Sequence, residues 1–155
     1  DSLQSTDENG YIHETHVLEG YPHWMDLKDA AAVTWMAQFR RNPYPDRIVW
    51  RQEEVTRDAF YWIEIPHEYA KRGQTVIVSR NGNVINIESS DYPELTICLN
   101  SKMVNLSRKV TVKYQGRKLF KTKLKPSSET ARQALESRGD PAYMFDCKIR
   151  LMLPK

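Results

Sequence analysis

The hydrophobic period changes once along this chain, at Asn42-Pro43-Tyr44-Pro45-Asp46. Before that point Ala32, Trp35, Met36 and Phe39 recur at helical spacing and form one apolar stripe. From Arg47 onward apolar and polar residues alternate, the period of strands with one buried face. Two prolines within the junction cannot continue a helix, and each restricts the residue before it. The chain therefore reads as two regions, 11–46 and 47–155, after a polar tail at 1–10 that is expected to fray.

The second region predicts strands over 47–54, 59–65, 74–80, 83–88, 94–99, 109–115, 118–124 and 143–153. Asn81-Gly82 lies between TVIVSR and NVINIE and signals a two-residue hairpin; Gln115-Gly116 joins two further alternating runs. One helix interrupts the strands at about 127–138 (SSETARQALESR), with a serine cap, Glu129 in its first turn and Gly139 just past its end. The expected fold class is α+β, mainly β: an antiparallel β-sandwich of roughly 100 residues with one inserted helix. In the first region Tyr11 to Glu19 (YIHETHVLE) predicts a strand that Gly20-Tyr21-Pro22 ends. A helix from about Leu27 to Arg40 follows, with Asp26 as cap and Asp29 in the first turn.

With 155 residues, 40% of them hydrophobic, the chain can bury a domain core. Its longest apolar runs, such as Ala30–Val33, fall far short of the ~20 residues of a membrane span. The start, Asp1-Ser2-Leu3-Gln4, is polar, lacks an initiator Met and has no secretory leader pattern, so further sequence upstream is expected. Two cysteines, Cys98 and Cys147, are too few for a disulfide scaffold. Both fall on predicted strands, so they form a bridge if those strands are neighbours and buried thiols otherwise. No zinc spacing occurs, and neither a metal nor a cofactor is expected.

The net charge is only +3, but it is polarised. Residues 1–29 hold seven acids and one base, while residues 101–126 hold nine bases and no acid. The basic residues alternate with Val110, Val112 and Leu124, which favours a wet, basic sheet face over a polyanion site. No nucleic-acid motif is present, and no such partner is expected.

Of the four histidines, His13 and His16 are three apart on a predicted strand and face opposite ways, and His67 has no partner nearby in sequence. His23 sits in Gly20-Tyr21-Pro22-His23-Trp24-Met25, a tight loop between a strand and a helix, where a scaffold can hold a catalytic side chain. The plain alternative is a turn histidine packed on Trp24.

The run HVLEGYPHWMDLKDAAAVTWMAQFRRNPYPDRIVW resembles the C-terminal end of an α/β-hydrolase catalytic domain. There the last strand leads into a loop bearing the catalytic histidine and then a final helix. Gly20, His23, Trp24 and Met25 match the loop; Ala31, Trp35, Met36 and the Arg41-Asn42-Pro43 exit are similar to esterase- and prolyl-oligopeptidase-like members with an appended β-rich domain. VTRDAFYWIEIP, NSKMVNLSRKVTVKYQGRKLF and ESRGDPAYMFDCKIRL resemble that domain, so the likeness covers about residues 11–153. It implies that His23 is the base of a Ser–Asp/Glu–His triad, and it hints at an exported protein. Pro22 departs from a small residue before the histidine.

In that chemistry serine attacks an acyl carbon, histidine takes its proton and later protonates the leaving group, and an acid fixes the histidine tautomer. The nucleophile needs a Gly-x-Ser-x-Gly elbow upstream, and this chain has none. The resemblance thus implies a histidine-bearing C-terminal part of a serine hydrolase for ester or peptide bonds, inactive alone and partnered by an upstream domain of the same polypeptide. Without that domain the 11–40 region must pack on the β-sandwich, pair with a second copy or rearrange, and a homodimer or an altered arrangement is expected. Two alternatives stand beside it: a β-sandwich module binding carbohydrate through aromatics, or an interaction domain whose basic sheet meets an acidic surface. Trp50, Tyr61 and Trp62 lie in strand-like runs and are expected in the core.

Overall fold

The computed structural model describes residues 12–154, and the chain divides into two units, 1–42 and 43–155. In the first unit the expected strand does not form over its described part: residues 12–18 carry no ladder. A strand needs a neighbour to receive its N–H and C=O groups, and none is offered here. The helix is shorter than predicted, α1 at Ala30–Met36, and its N-cap is Asp29, whose side chain makes no capping bond. Asp26 lies instead in a preceding 3-10 turn, Met25–Leu27.

The second unit is mainly β, as the alternation predicts. Its strands are β1 Arg47–Arg51, β2 Ala59–Phe60, β3 Ile63–Glu64, β4 Thr75–Asn81, β5 Val84–Ser90, β6 Glu94–Leu99, β7 Val110–Tyr114, β8 Arg117–Thr122 and β9 Cys147–Met152. They form two sheets, ordered β1-β4-β5-β7-β8 and β2-β3-β6-β9. Pairing is antiparallel except between β5 and β7, which run parallel. The all-antiparallel expectation is corrected there: the chain leaves the first sheet after β5, adds β6 to the second, and returns as β7.

Alternate residues point inward. Ile48, Trp50, Val76, Val78, Ile85, Ile87, Val110 and Val112 from one sheet join Ile63, Leu95, Ile97, Leu99, Ile149 and Leu151 from the other in one buried cluster. Burial of this kind contributes about 25 cal/mol per Å² of apolar surface and is the main force behind the fold. Trp50 and Trp62 belong to it, as expected, whereas Tyr61, also expected inside, is only half-buried against it.

Two hairpins differ from the sequence pattern. The predicted strand 59–65 is folded on itself: Phe60 pairs with Ile63 around Tyr61-Trp62. Tyr61 takes a φ of 50°. The turn sends the Trp62 indole into the core, where period-two reasoning saw only a continuous strand. The β4–β5 loop is Gly82-Asn83, one residue later than Asn81-Gly82, because Asn81 pairs with Val84. Among its two residues only Gly82 has positive φ, 53°, the pattern of a type II′ turn.

The unit boundary falls at 42/43 rather than after residue 46. The physical reason is a set of bonds made by the junction. The Tyr44 hydroxyl donates to the Ala142 carbonyl and accepts from Asn100 Nδ2 at 3.2 Å. Trp62 Nε1 donates to the Pro45 carbonyl at 2.9 Å. The Arg80 N–H donates to the Asp46 carbonyl at 2.6 Å, and the Arg80 guanidinium pairs with the Asp46 carboxylate. Rigid prolines present these groups to the sandwich at low entropic cost.

The second helix, α2 at Ser128–Arg138, forms as its sequence signals predict. Ser127 Oγ accepts from the Thr130 N–H at 3.3 Å, and Gly139 closes the helix in the left-handed region with φ 63°. Arg138 in its last turn donates to the Tyr61 carbonyl at 3.0 Å and lies over the Tyr143 and Phe145 rings.

Candidate functional site

The His23 loop turns tightly. The Met25 N–H donates to the Pro22 carbonyl at 2.9 Å. Met25, Asp26 and Leu27 then run left-handed, with φ 49°, 47° and 61°. For side chains of this kind the left-handed region costs about 1–2 kcal/mol per residue, and it persists only where surroundings enforce it. The His23 ring meets Trp24 edge-on at 5.5 Å between centroids. It is exposed, and no described residue hydrogen-bonds to it. Beyond the loop, Trp35 and Phe39 touch with ring centroids 4.8 Å apart, the i, i+4 contact of the predicted stripe.

The other histidines are placed differently. His16 Nε2 lies 2.5 Å from Glu14 Oε1, both exposed. His67 does have a partner, which its sequence neighbourhood did not reveal: Nδ1 is 2.9 Å from Asp58 Oδ1 and 3.1 Å from Oδ2. The hydrogen bond and charge of Asp58 raise the His67 pKa above its ordinary value. This orients the ring as an acid orients a triad histidine, with Nε2 facing away. No hydroxyl or thiol among the described residues bonds to that nitrogen. Asp58 and His67 stand nine positions apart with the β2–β3 hairpin between them, so only the folded turn brings them together.

A second set of charges lines the outer face of the β3-β6-β9 sheet. Lys148 Nζ is 2.8 Å and Arg138 Nη2 3.2 Å from the two oxygens of Glu64. Burial pushes the Glu64 carboxyl up, but the two cations outweigh it and hold its pKa below the ordinary value. Arg150 pairs with the buried Glu94 carboxylate. These pairs fasten α2 and β9 to the sheet.

Cys98 and Cys147 lie on adjacent strands, yet both are free. Register is the reason. Leu99 stands opposite Cys147 and Cys98 opposite Lys148, so the two thiols leave opposite faces of the sheet. Burial pushes both thiol pKa values up, that of Cys147 to about 12, which leaves neither a reactive thiolate.

An open groove of about 540 Å³ runs between the β4–β5 turn and the 101–106 loop. Asn83 closes one side, exchanging 2.8 Å bonds with the Asn105 backbone. Lys102 is its one charged lining residue. Among the described residues no group of three or more His, Cys, Asp or Glu is placed to hold a metal ion. No described helix is long and apolar enough to cross a membrane.

No protein-family model matches the chain, and neither a curated protein nor a solved structure is found to be similar to it.

Proposed function

We propose that this chain is the histidine-bearing C-terminal portion of a serine hydrolase acting on ester or peptide bonds, with residues 43–155 as its accessory β-domain. One observation carries the reading. From residue 12 to residue 42 every side chain is exposed except Trp35, which is half-buried. Trp24 is 82% and Leu27 81% exposed, and Val33 and Met36 are open as well. A segment this apolar, with three successive left-handed residues and no core of its own, needs a surface to lie on. An upstream hydrolase domain of the same polypeptide supplies it: a sheet edge to receive residues 11–19 as a strand, and a face to cover the α1 stripe.

His23 then acts as the general base and acid of the triad. The serine, its elbow, the acid and the oxyanion donors belong to the upstream domain. Alone, the chain has a base with nothing to deprotonate, and its turnover stays at the uncatalysed level. Export from the cytoplasm belongs to the same reading.

The test is ester hydrolysis by the polypeptide at its natural length, wild type against His23→Ala. Loss of about 10⁴-fold or more in kcat, with the fold kept, is expected of a triad base. Undiminished activity in His23→Ala refutes the assignment. The sedimentation profile of the 155-residue chain supplies a second check. A dimer that Met36→Asp with Phe39→Asp dissociates means a second copy covers the stripe when the upstream domain is absent.

A further inference from the structure

Of the bases between residues 101 and 126, five fall on one face of a two-stranded ribbon. Val110 and Val112 of β7 are fully buried, so Thr111 and Lys113 face outward. Across the ribbon Lys121 stands opposite Thr111, and Lys118 stands directly opposite Lys113. Lys109 and Lys123, just beyond the strand ends, follow the same alternation. Like charges placed directly across a ladder destabilise it. Elsewhere Arg47, Arg72, Arg80, Arg132, Arg138 and Arg150 each lie against a carboxylate. None of the ribbon lysines does so among the described residues.

Edge protection accounts for lysines on β8, which is a sheet edge. It does not account for Lys113, which sits on the inner strand β7 between β5 and β8. The positive charge is also narrow. On β5 the next outward residues are Asn86, whose carboxamide oxygen accepts from the Gly116 N–H at 3.2 Å, and Glu88, which is neutralised by Arg47 at 3.1 Å. The charged strip is thus two strands wide and, at about 3.3 Å per residue over 109–113 and 118–123, roughly 13–17 Å long.

We infer that this ribbon binds a linear acidic polysaccharide, a sugar chain carrying carboxylate or sulfate groups, along the row Lys109, Lys113, Lys118, Lys121 and Lys123. A strip this narrow fits a linear polyanion better than the plane of a bilayer. The aromatics of the ribbon, Tyr114 and Phe120, pair with Arg117 and Val112 and so fall on the opposite face. The lysine face therefore offers no stacking platform, which single-stranded nucleic acid binding uses. Lysine ammonium groups act as point charges without the bidentate fork that reads base edges. Recognition is by charge along a line, and it weakens steeply with salt. This inference is independent of the hydrolase reading.

The test uses the full 155-residue chain with a heparin oligosaccharide and an oligogalacturonate as probes, titrated at 50 and 200 mM salt. A 16-base-pair DNA and phosphatidylserine vesicles run alongside. Two variants lose three charges each: Lys113→Gln with Lys118→Gln and Lys121→Gln on the ribbon, and Arg51→Gln with Lys71→Gln and Arg72→Gln away from it. The ribbon side chains are solvent-facing, so its variant should melt no lower than wild type. With up to three contacts removed, its slope of log affinity against log salt should be shallower than that of wild type, with at least tenfold weaker binding at 50 mM salt. The other variant should bind as wild type does. Three results overturn the inference: no saccharide binding at 50 mM salt, equal loss in both variants, or tighter binding to DNA or vesicles than to either saccharide.

Discussion

Cutting the chain before residue 43 or before residue 47 should give two β-domains of very different stability. The longer piece keeps Tyr44, Pro45 and Asp46; the shorter one loses them. Trp62 is fully buried, and without the Pro45 carbonyl its indole N–H has no acceptor. A buried donor left unpaired costs about 1–3 kcal/mol. Asn100, also buried, loses the Tyr44 hydroxyl at 3.2 Å, and Phe145 loses the Tyr44 ring, 6.1 Å away and edge-on. That contact and its apolar area contribute about 1–2 kcal/mol. The Arg80 N–H, bonded to the Asp46 carbonyl at 2.6 Å, adds about 1 kcal/mol more. The sum is about 3–6 kcal/mol, against the ~5–15 kcal/mol that holds a domain together. Urea unfolding followed by tryptophan fluorescence reads it directly. With a slope near 1.5–2 kcal/mol per molar, the midpoint of the shorter piece should fall by roughly 1.5–4 M. Trp62→Phe gives an internal control, since it should cost ~1 kcal/mol less in the shorter piece, where the Pro45 acceptor is already gone. Equal midpoints for the two pieces would refute the assignment of the junction to the sandwich.

Other outcomes follow from local geometry. Gln115 sits at φ 49° beside Gly116 at φ 77° in the β7–β8 turn, so Gln115→Asn or Gln115→Gly should stabilise the fold by about 0.5–1 kcal/mol, read as a higher melting temperature. The lowered Glu64 pKa contributes stability that is complete above the ordinary glutamate value and lost as pH falls through the folded value. Glu64→Gln should remove that acid-side dependence, and an unchanged pH–stability curve would contradict the Lys148–Arg138 cluster. Cys98 and Cys147 should resist a thiol reagent in the native protein and both react in urea; a mass lower by two hydrogen atoms after mild oxidation of the native protein would contradict the register that separates them.

The catalytic assignment and the fold differ in how far the sequence reached. Alternation around Val76, Val78, Ile85 and Ile87 made each strand legible, because a strand with one buried face writes its period directly into the residues. Capping at Ser127 and Gly139 was legible for the same reason: those bonds are made within four residues of the cap. The strand expected at residues 11–19 failed over 12–18 because a strand is half of a pair, and local propensity cannot supply the other half. The Asp58–His67 contact and the Glu64–Arg138–Lys148 cluster were illegible because their members come together only across hairpins and sheets.

By itself the sequence determined which residues of the regular strands are inside the β-domain, where α2 begins and ends, and that His23 lies in a tight loop before an apolar helix. Period, turn chemistry and capping are short-range properties, and they act before any tertiary contact exists. Tertiary structure alone decided the parallel β5–β7 pairing, the opposed faces of the two cysteines, the docking of residues 43–46 through Trp62 and Arg80, and the line of lysines on one side of a ribbon. The cysteine faces and the lysine line depend on register, since a shift of one residue between strands would turn every side chain to the other face, while the pairing and the docking depend on which distant segments meet.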